Sequence, residues 1–375
     1  MLKYIRNMQI APYYKRLLQN IKEQINRSHS KSYIGMFDSG KNYMFRLLVT
    51  EDLNLKDTLF IPLDLSSGDI IKAFQTGSSL IRSSVEIENL DQMWEEISSR
   101  SKQRSVVLAF NLPYGGEQDL TFFTTLYSWK NLLRDKLNWI IFANYGIFNC
   151  KVSDRSAFDK VVLSNVTPIL PLDKKSSEIV IDNYNKYFGP IEKSKRKKII
   201  ELSGGNPGFL KSLYLLAQQK RLDLWEHDEQ LQVRIKKLFD ELSPKELSTL
   251  ANLEEQGKKE TKNFKQLEKF GYIYHERLFS PILDKFISRY YTSNTNMFSS
   301  TQLKVFNLLR EKYPQIVSRD EIGRTMWGAR WTQEYSDWAL DRMIHEIRNK
   351  LKKSSNEWFL KTKRDLGYFL TKNRD

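Results

Sequence analysis

Ser32-Tyr33-Ile34-Gly35-Met36-Phe37-Asp38-Ser39-Gly40-Lys41-Asn42 decides the fold of the first half of this chain. An apolar run of strand type (Ser32–Phe37) enters G-x-x-x-x-G-K, and helical spacing follows over Lys41–Leu48. Glycines at the ends of such a loop let backbone N–H groups curl around a phosphate. The helix that follows points its positive end inward, and the lysine reaches the outer phosphates. Gly35, Ser39, Gly40 and Lys41 are therefore candidate anion-binding residues, with Asn42 in the place where a Ser or Thr hydroxyl would hold Mg²⁺. On either side, short apolar runs alternate with helical patterns, as in a mostly parallel sheet. The expected strands are Ser32–Phe37, Thr58–Leu63, Ser105–Phe110, Asn138–Ala143 and Val166–Leu170. The expected helices lie around Lys41–Leu48, Leu90–Arg100 and Leu120–Leu137.

The chain has 375 residues, 60 Lys and Arg against 45 Asp and Glu, and a net charge of +15. That length suits two or three domains. One cysteine, Cys150, excludes an internal disulfide framework, and with only 4 His a structural zinc site is not expected. No apolar run approaches a membrane span and the N-terminus has no signal-peptide character, so a reduced, cytoplasmic protein without a membrane partner is expected. The basic excess points to a polyanion, nucleic acid before membrane.

Three further features belong with the loop. The third strand ends in Asn111, where an acidic residue would support a metal, and Glu117 lies beyond Pro113 and Gly115-Gly116. The fourth strand ends in Ala143-Asn144, and Ser203-Gly204-Gly205-Asn206-Pro207-Gly208-Phe209-Leu210 is a helix–turn–helix junction with Pro207 suited to the first helical position. On these residues, about 10 to 290 resembles the AAA+/STAND class of P-loop ATPases. The resemblance implies an α/β domain with a helical lid closing over ATP, a γ-phosphate sensor at Asn144, and a small winged-helix appendage. The appendage is matched by the capping box Ser243-Pro244-Lys245-Glu246, a second helix ending at Gly271, a hairpin over Tyr272–Phe279, and Ser280-Pro281. Asn42 and Asn111 depart from the class. With both metal-supporting oxygens replaced by amides, Mg²⁺ loses ligands it favours, and fast hydrolysis is not expected. Nucleotide binding through Lys41 and the loop backbone stays open, as does a vestigial pocket in a scaffold.

The last 75 residues hold 16 Lys and Arg against 10 Asp and Glu, a net +6, and four of the 8 Trp. A polar stretch, Thr292–Asn296 with Ser299-Ser300, precedes them as an expected linker. Ser318-Arg319-Asp320-Glu321 is a capping box, and Ser336 is a natural N-cap for a long helix to about Leu351. Leu340, Met343, Ile344, Ile347 and Leu351 share one face of it; Trp338, Arg342, His345, Glu346, Arg348 and Asn349 lie on the other. A hairpin follows around Lys363–Gly367, giving the order of a winged helix-turn-helix. Trp327 and Tyr368 are expected in its core.

This segment resembles the OmpR/PhoB-type C-terminal domain of bacterial transcription regulators. The matching stretches are Thr301–Leu309, Val317–Ile322, Trp327-Gly328, Ser336-Asp337, Asp341, Ile347–Leu351 and Thr362–Tyr368. The resemblance implies DNA contacts from Trp338, Arg342, His345, Glu346 and Arg348 on the recognition helix and from Thr362 and Arg364 on the wing. Glu346 stands where the family usually has a base-contacting Arg, and Trp338 where an Arg usually meets the backbone. An acid at 346 could accept from cytosine N4 but repels phosphate.

The expected architecture is thus a P-loop α/β domain (1–172), a helical lid (173–235), a winged-helix domain (236–292), a linker (293–300) and a DNA-binding winged helix (301–375). The leading function is a DNA-binding transcriptional regulator acting on double-stranded DNA, with an ATPase-like sensing or assembly module and scope for self-association. The alternatives are an active AAA+ ATPase acting on DNA and a STAND-type defence or scaffold protein. The run Lys193–Lys198 reads as a solvated helix face rather than a phosphate site.

Overall fold

The computed structural model describes residues 8–50, 55, 57–80, 87–112, 122–150, 155–251, 253, 261–287, 298–328, 331–353 and 358–371. It divides into two compact units, Met1–Asp284 and Lys285–Asp375. Glu117 and the polar stretch Thr292–Asn296 lie outside the described residues.

The first unit opens with α1 (Pro12–Asn26), β1 (Lys31–Gly35), α2 (Lys41–Thr50), β2 (Thr58–Asp64), α3 (Ile70–Leu80) and α4 (Leu90–Ser101). It continues with β3 (Ser105–Asn111), α5 (Phe122–Leu133), β4 (Leu137–Asn144), α6 (Arg155–Phe158) and β5 (Val166–Ile169). The five strands form one sheet in the order β2-β3-β4-β1-β5, every paired neighbour parallel. Parallel sheets are covered on both faces, so their strands read as continuous apolar runs. Val106 to Phe110 of β3 are accordingly all buried. All five expected strands form. β1 ends at Gly35 rather than Phe37, because the loop takes the chain out of the sheet there. This is the expected P-loop-type α/β layout, with the 35–41 loop at the carboxyl edge of the sheet. Open α/β sheets bind ligands at that edge.

Helices α7 (Lys174–Phe188), α8 (Lys193–Ser203), α9 (Pro207–Gln218) and α10 (Glu229–Asp240) follow. Asn206 caps α9, accepting from the N–H groups of Gly208 at 3.0 Å and Phe209 at 3.1 Å, with Pro207 at the first position. The basic run of α8 is partly paired within the unit: Arg196 meets Asp182 at 2.6 Å, and Lys198 meets Asp223. Then come α11 (Pro244–Ala251), α12 (Lys262–Lys269), the hairpin β6 (Ile273–Tyr274) and β7 (Arg277–Leu278), and α13 (Pro281–Ile287). The order matches the expected appendage, and Ser243 and Glu246 make their capping box. Yet the hairpin has two residues per strand. A second winged-helix domain is not evidenced.

The second unit contains α14 (Ser300–Glu311), α15 (Arg319–Trp327), α16 (Trp331–Glu334), α17 (Asp337–Lys353), β8 (Phe359–Lys363) and β9 (Gly367–Thr371). It is a winged helix. Both starting caps are reciprocal boxes, Ser299 with Gln302 and Ser318 with Glu321. Leu340, Ile344, Ile347 and Leu351 of α17 bury against Val305 and Phe306 of α14 and Leu360 and Leu370 of the hairpin. Tyr368 is buried in this core and Trp327 packs against it, as expected. Val317 exchanges two backbone hydrogen bonds with Tyr368 (2.8 and 2.9 Å), laying a third extended segment beside the hairpin. That approach requires glycine at 367: its φ is +140°, and a Cβ there would stand 2.1 Å from the Val317 carbonyl oxygen. Among the described residues, no helix is long and apolar enough to cross a membrane.

Candidate nucleic-acid interface and phosphate loop

The polar face of α17 and the wing enclose a groove of about 530 Å³. It is lined by Trp338, Arg342, His345, Arg348 and Thr362, together with Asp341 and Tyr368. Five of the seven residues expected to meet DNA are thereby brought together. Arg348 fastens helix to wing: its Nε donates to the Leu360 carbonyl at 3.0 Å, and a terminal nitrogen donates to Thr362 Oγ1 at 2.7 Å. Arg342 lies over the exposed ring of Trp338, 5.4 Å from its centroid, and donates from Nε to Glu346 Oε1 at 2.9 Å. His345 Nε2 and Asn349 Nδ2 are 2.8 Å apart.

The other two expected contacts lie outside this lining. Arg364 sits at the wing tip, 97% exposed. Glu346 is half-buried and accepts from Gln302 Nε2 at 2.6 Å. The hydrogen bond from Arg342 holds its carboxyl below the usual range.

A cluster that helical spacing did not reveal anchors the groove's floor. Arg319 of α15 donates to Asp341 at 2.7 Å and to the Tyr368 hydroxyl at 2.6 Å, and pairs with Asp337 at 2.7 Å. Tyr368 in turn donates to Asp341 at 2.8 Å. The Arg319 hydrogen bond keeps the Asp341 carboxyl below its ordinary range. The clue in the sequence was that Arg319, Asp341 and Tyr368 all belong to the stretches carrying the resemblance.

In the first unit, the Lys41 ammonium and the Phe37 and Ser39 N–H groups of the 35–41 loop have partners within the protein. Lys41 is 6% exposed, and its ammonium reaches the carbonyl oxygens of Gly35 (3.1 Å) and Met36 (2.7 Å) and the Ser39 hydroxyl (3.3 Å). An ammonium has three protons, and all three are used. The Phe37 N–H donates to Glu241 Oε2 at 2.8 Å, and the Ser39 N–H to the Met36 carbonyl at 3.1 Å. Asn206 Nδ2 donates to the Phe37 carbonyl at 3.0 Å, and Arg234 pairs with Asp38. Glu241 is 2% exposed; its Oε2 also accepts from the Tyr272 hydroxyl at 3.1 Å, while Oε1 has no partner among the described residues. Burial pushes the Glu241 carboxyl up to about 8, opposed by the Lys41 charge. Burial also lowers the Lys41 ammonium, opposed by Glu241 and Asp38. Gly40, with φ at +92°, lies under Tyr14, whose hydroxyl a Cβ would meet at 2.0 Å.

Asn144 stands at the end of β4 in register with Gly35, and Asn42 is exposed on α2. Asn111 is buried and donates to Asp64 Oδ1 at 3.1 Å. The acid absent from the end of β3 thus stands one strand away, in register with Asn111. Asp64 is already engaged in capping the Ser66 N–H at 3.2 Å. No group of three or more His, Cys, Asp or Glu among the described residues could hold a metal ion.

Residues 294–370 match the family described as "Transcriptional regulatory protein, C terminal". No curated protein matches the chain. Among solved structures, AMPPCP-bound DnaA from Aquifex aeolicus is similar at 14% identity and a TM-score of 0.39, covering 94% of this chain and 92% of that one. Cdc6p from Pyrobaculum aerophilum is similar at 10% identity and 0.37, covering 98% and 93%. The Aeropyrum pernix Orc1 protein in complex with DNA is similar at 12% and 0.34, covering 95% and 87%. At these scores the three likenesses carry no weight for function.

Proposed function

We propose that the chain is a DNA-binding transcriptional regulator. Its second unit reads duplex DNA through α17 and the wing, and its P-loop-type unit serves as a sensing or assembly module rather than a motor. One observation carries this function: the groove that gathers Trp338, Arg342, His345, Arg348 and Thr362 lies inside the segment matching the transcriptional-regulator family. Arg342 supplies a groove cation facing the bases; Arg348, Lys363 and Arg364 are placed for phosphates. About three neutralised phosphates would give a slope of about −2.7 in log affinity per log salt. Affinity would then fall by roughly 40-fold between about 50 and 200 mM salt.

The test is an anisotropy titration of the full-length protein on random duplex DNA over that salt range. Binding that steepens as salt falls supports the function. A folded protein with no salt-sensitive duplex binding overturns it, and a winged helix serving protein contacts takes its place.

The phosphate loop supports a self-satisfied scaffold more than an active ATPase. Lys41 and the Phe37 amide already have internal partners, and the positions that would hold Mg²⁺ carry Asn42 and Asn111. ATP binding requires displacement of those internal contacts. Rapid Mg²⁺-dependent turnover by the unaltered protein would sink this part of the proposal and favour the ATPase alternative.

A further inference from the structure

We infer that Arg342 reads a guanine in the major groove, and that Glu346 is its positioning residue rather than a base reader. This rests on the DNA-binding function proposed above and names the base it selects. Trp338, Arg342 and Glu346 follow one another at i, i+4 and i+8 along α17, so they stack on one helix face. The guanidinium is fixed from both sides. One turn back lies the Trp338 ring, 5.4 Å away; one turn on, Glu346 Oε1 takes the Nε proton at 2.9 Å. The two terminal nitrogens have no partner among the described residues, and Arg342 lines the groove.

An exposed i, i+4 pair alone would be an ordinary surface ion pair, worth a few tenths of a kcal/mol. Here the acid is backed from inside the domain. Glu346 Oε2 accepts from Gln302 Nε2 at 2.6 Å, and Gln302 is 4% exposed. The amide cannot flip without loss: its Oε1 accepts from the Ser299 N–H at 3.0 Å and from Lys350 at 2.7 Å, so its NH₂ must face Glu346. Both carboxylate oxygens of Glu346 are therefore engaged. A cytosine amine would have to share an oxygen that already accepts from Gln302 or Arg342.

With Nε occupied, the arginine presents a parallel pair of N–H donors. In the major groove only guanine offers two acceptors side by side, O6 and N7. Adenine offers one acceptor and a donor, thymine one acceptor and a methyl, and cytosine a donor. A phosphate also accepts a fork. Two features favour the base: the groove position of Arg342, and the rotamer freedom already surrendered to Trp338 and Glu346, which lowers the entropy cost of contact.

The experiment selects full-length protein on a random duplex library. Affinity is then measured on the selected site and on each single-base variant. The expected site contains a G whose replacement weakens binding roughly 5- to 150-fold. Arg342→Ala removes the preference at that position alone. Arg342→Lys keeps the charge without the fork, so it restores overall affinity but not the preference. Glu346→Ala lowers the preference for G while binding to random duplex tightens, because a charge that repels phosphate is gone; a merely structural role would instead show as a lowered melting temperature. Arg342→Ala weakening every duplex equally, or leaving the G preference intact, overturns the inference. A wild-type protein that binds no duplex fails at the earlier step, and that result is separately visible.

Discussion

Glu241→Ala tests whether the phosphate loop is held by the chain's own carboxylate. The change strips the acceptor from two donors, the Phe37 N–H at 2.8 Å and the Tyr272 hydroxyl at 3.1 Å, both against a side chain that is 2% exposed. Each buried donor left unpaired costs about 1–3 kcal/mol, so the local loss is about 2–6 kcal/mol. The loss depends on pH, and its sign follows from burial. Glu241 has its carboxyl raised from 4.5 to about 8, so the folded state binds the proton more tightly than the unfolded chain. Stability from this group is fully present at acid pH and falls as pH rises through that window, at up to about 1.4 kcal/mol per unit. The penalty of Glu241→Ala is therefore largest at acid pH and shrinks as pH rises toward about 8. The groups facing the carboxyl are Lys41, Asp38 and Tyr272, and burial brings Lys41 down to the top of that range. Hydrogen exchange of peptides spanning β1 and α2, corrected for intrinsic rates, isolates the loop from the second unit. Protection there should drop at least about 30-fold at pH 5.5, and less at pH 7.5. Glu241→Gln keeps an acceptor oxygen but cannot titrate, so it should retain most protection and lose the pH dependence. Unchanged exchange at both pH values in Glu241→Ala would refute the reasoning.

Gly40→Ala should unfold the loop locally, because its φ of +92° and the Tyr14 hydroxyl at 2.0 Å leave no room for a Cβ; exchange in the same peptides measures it, and wild-type protection in the variant would count against the packing described. Gly367→Ala should detach the wing from Val317 and weaken DNA binding on all sequences alike, read by anisotropy with circular dichroism as the check on folding. Tyr368→Phe removes the hydroxyl shared by Arg319 and Asp341 and should cost the second unit about 1 kcal/mol in urea unfolding followed by exchange in α15. Asp341, with its carboxyl held low by Arg319, contributes stability above the ordinary carboxylate range that is lost as pH falls through its depressed value. Asp341→Asn should therefore matter at neutral pH and progressively less as pH falls through that depressed value.

What the sequence made legible here is local. Ser318 and Glu321 sit three residues apart, and their box formed as read; so did Pro207 at the start of α9 and the buried face of α17. The five strands were readable because both sheet faces are covered and their runs are apolar throughout. Contacts between distant segments were not legible. Phe37 and Glu241 are 204 positions apart, and nothing in either neighbourhood marks the pairing. Helical spacing placed Glu346 on the polar face, but could not show that Gln302, 44 positions earlier, would take its second oxygen. The four-residue helix α16 leaves no mark in the sequence, since one turn is too short for a periodic signal.

The fixing of Glu241 has a physical cause. A loop shaped for phosphate presents backbone N–H groups and a lysine that are costly to bury without partners. Once the residues that would hold Mg²⁺ are amides, a bound nucleotide is a weaker partner for those donors, and the fold needs another. The chain supplies one: Glu241 Oε2 takes the Phe37 amide, and the loop's own carbonyls take Lys41. Glu241 and Arg234 both come from the α10 region, so loss of that helix would expose the loop and uncap Asp38 together. The 35–41 loop is thus tied to the α10 region through Phe37 and Asp38. A ligand that draws on the Phe37 amide must displace Glu241 Oε2, and one that draws on Lys41 must displace the carbonyl oxygens of Gly35 and Met36.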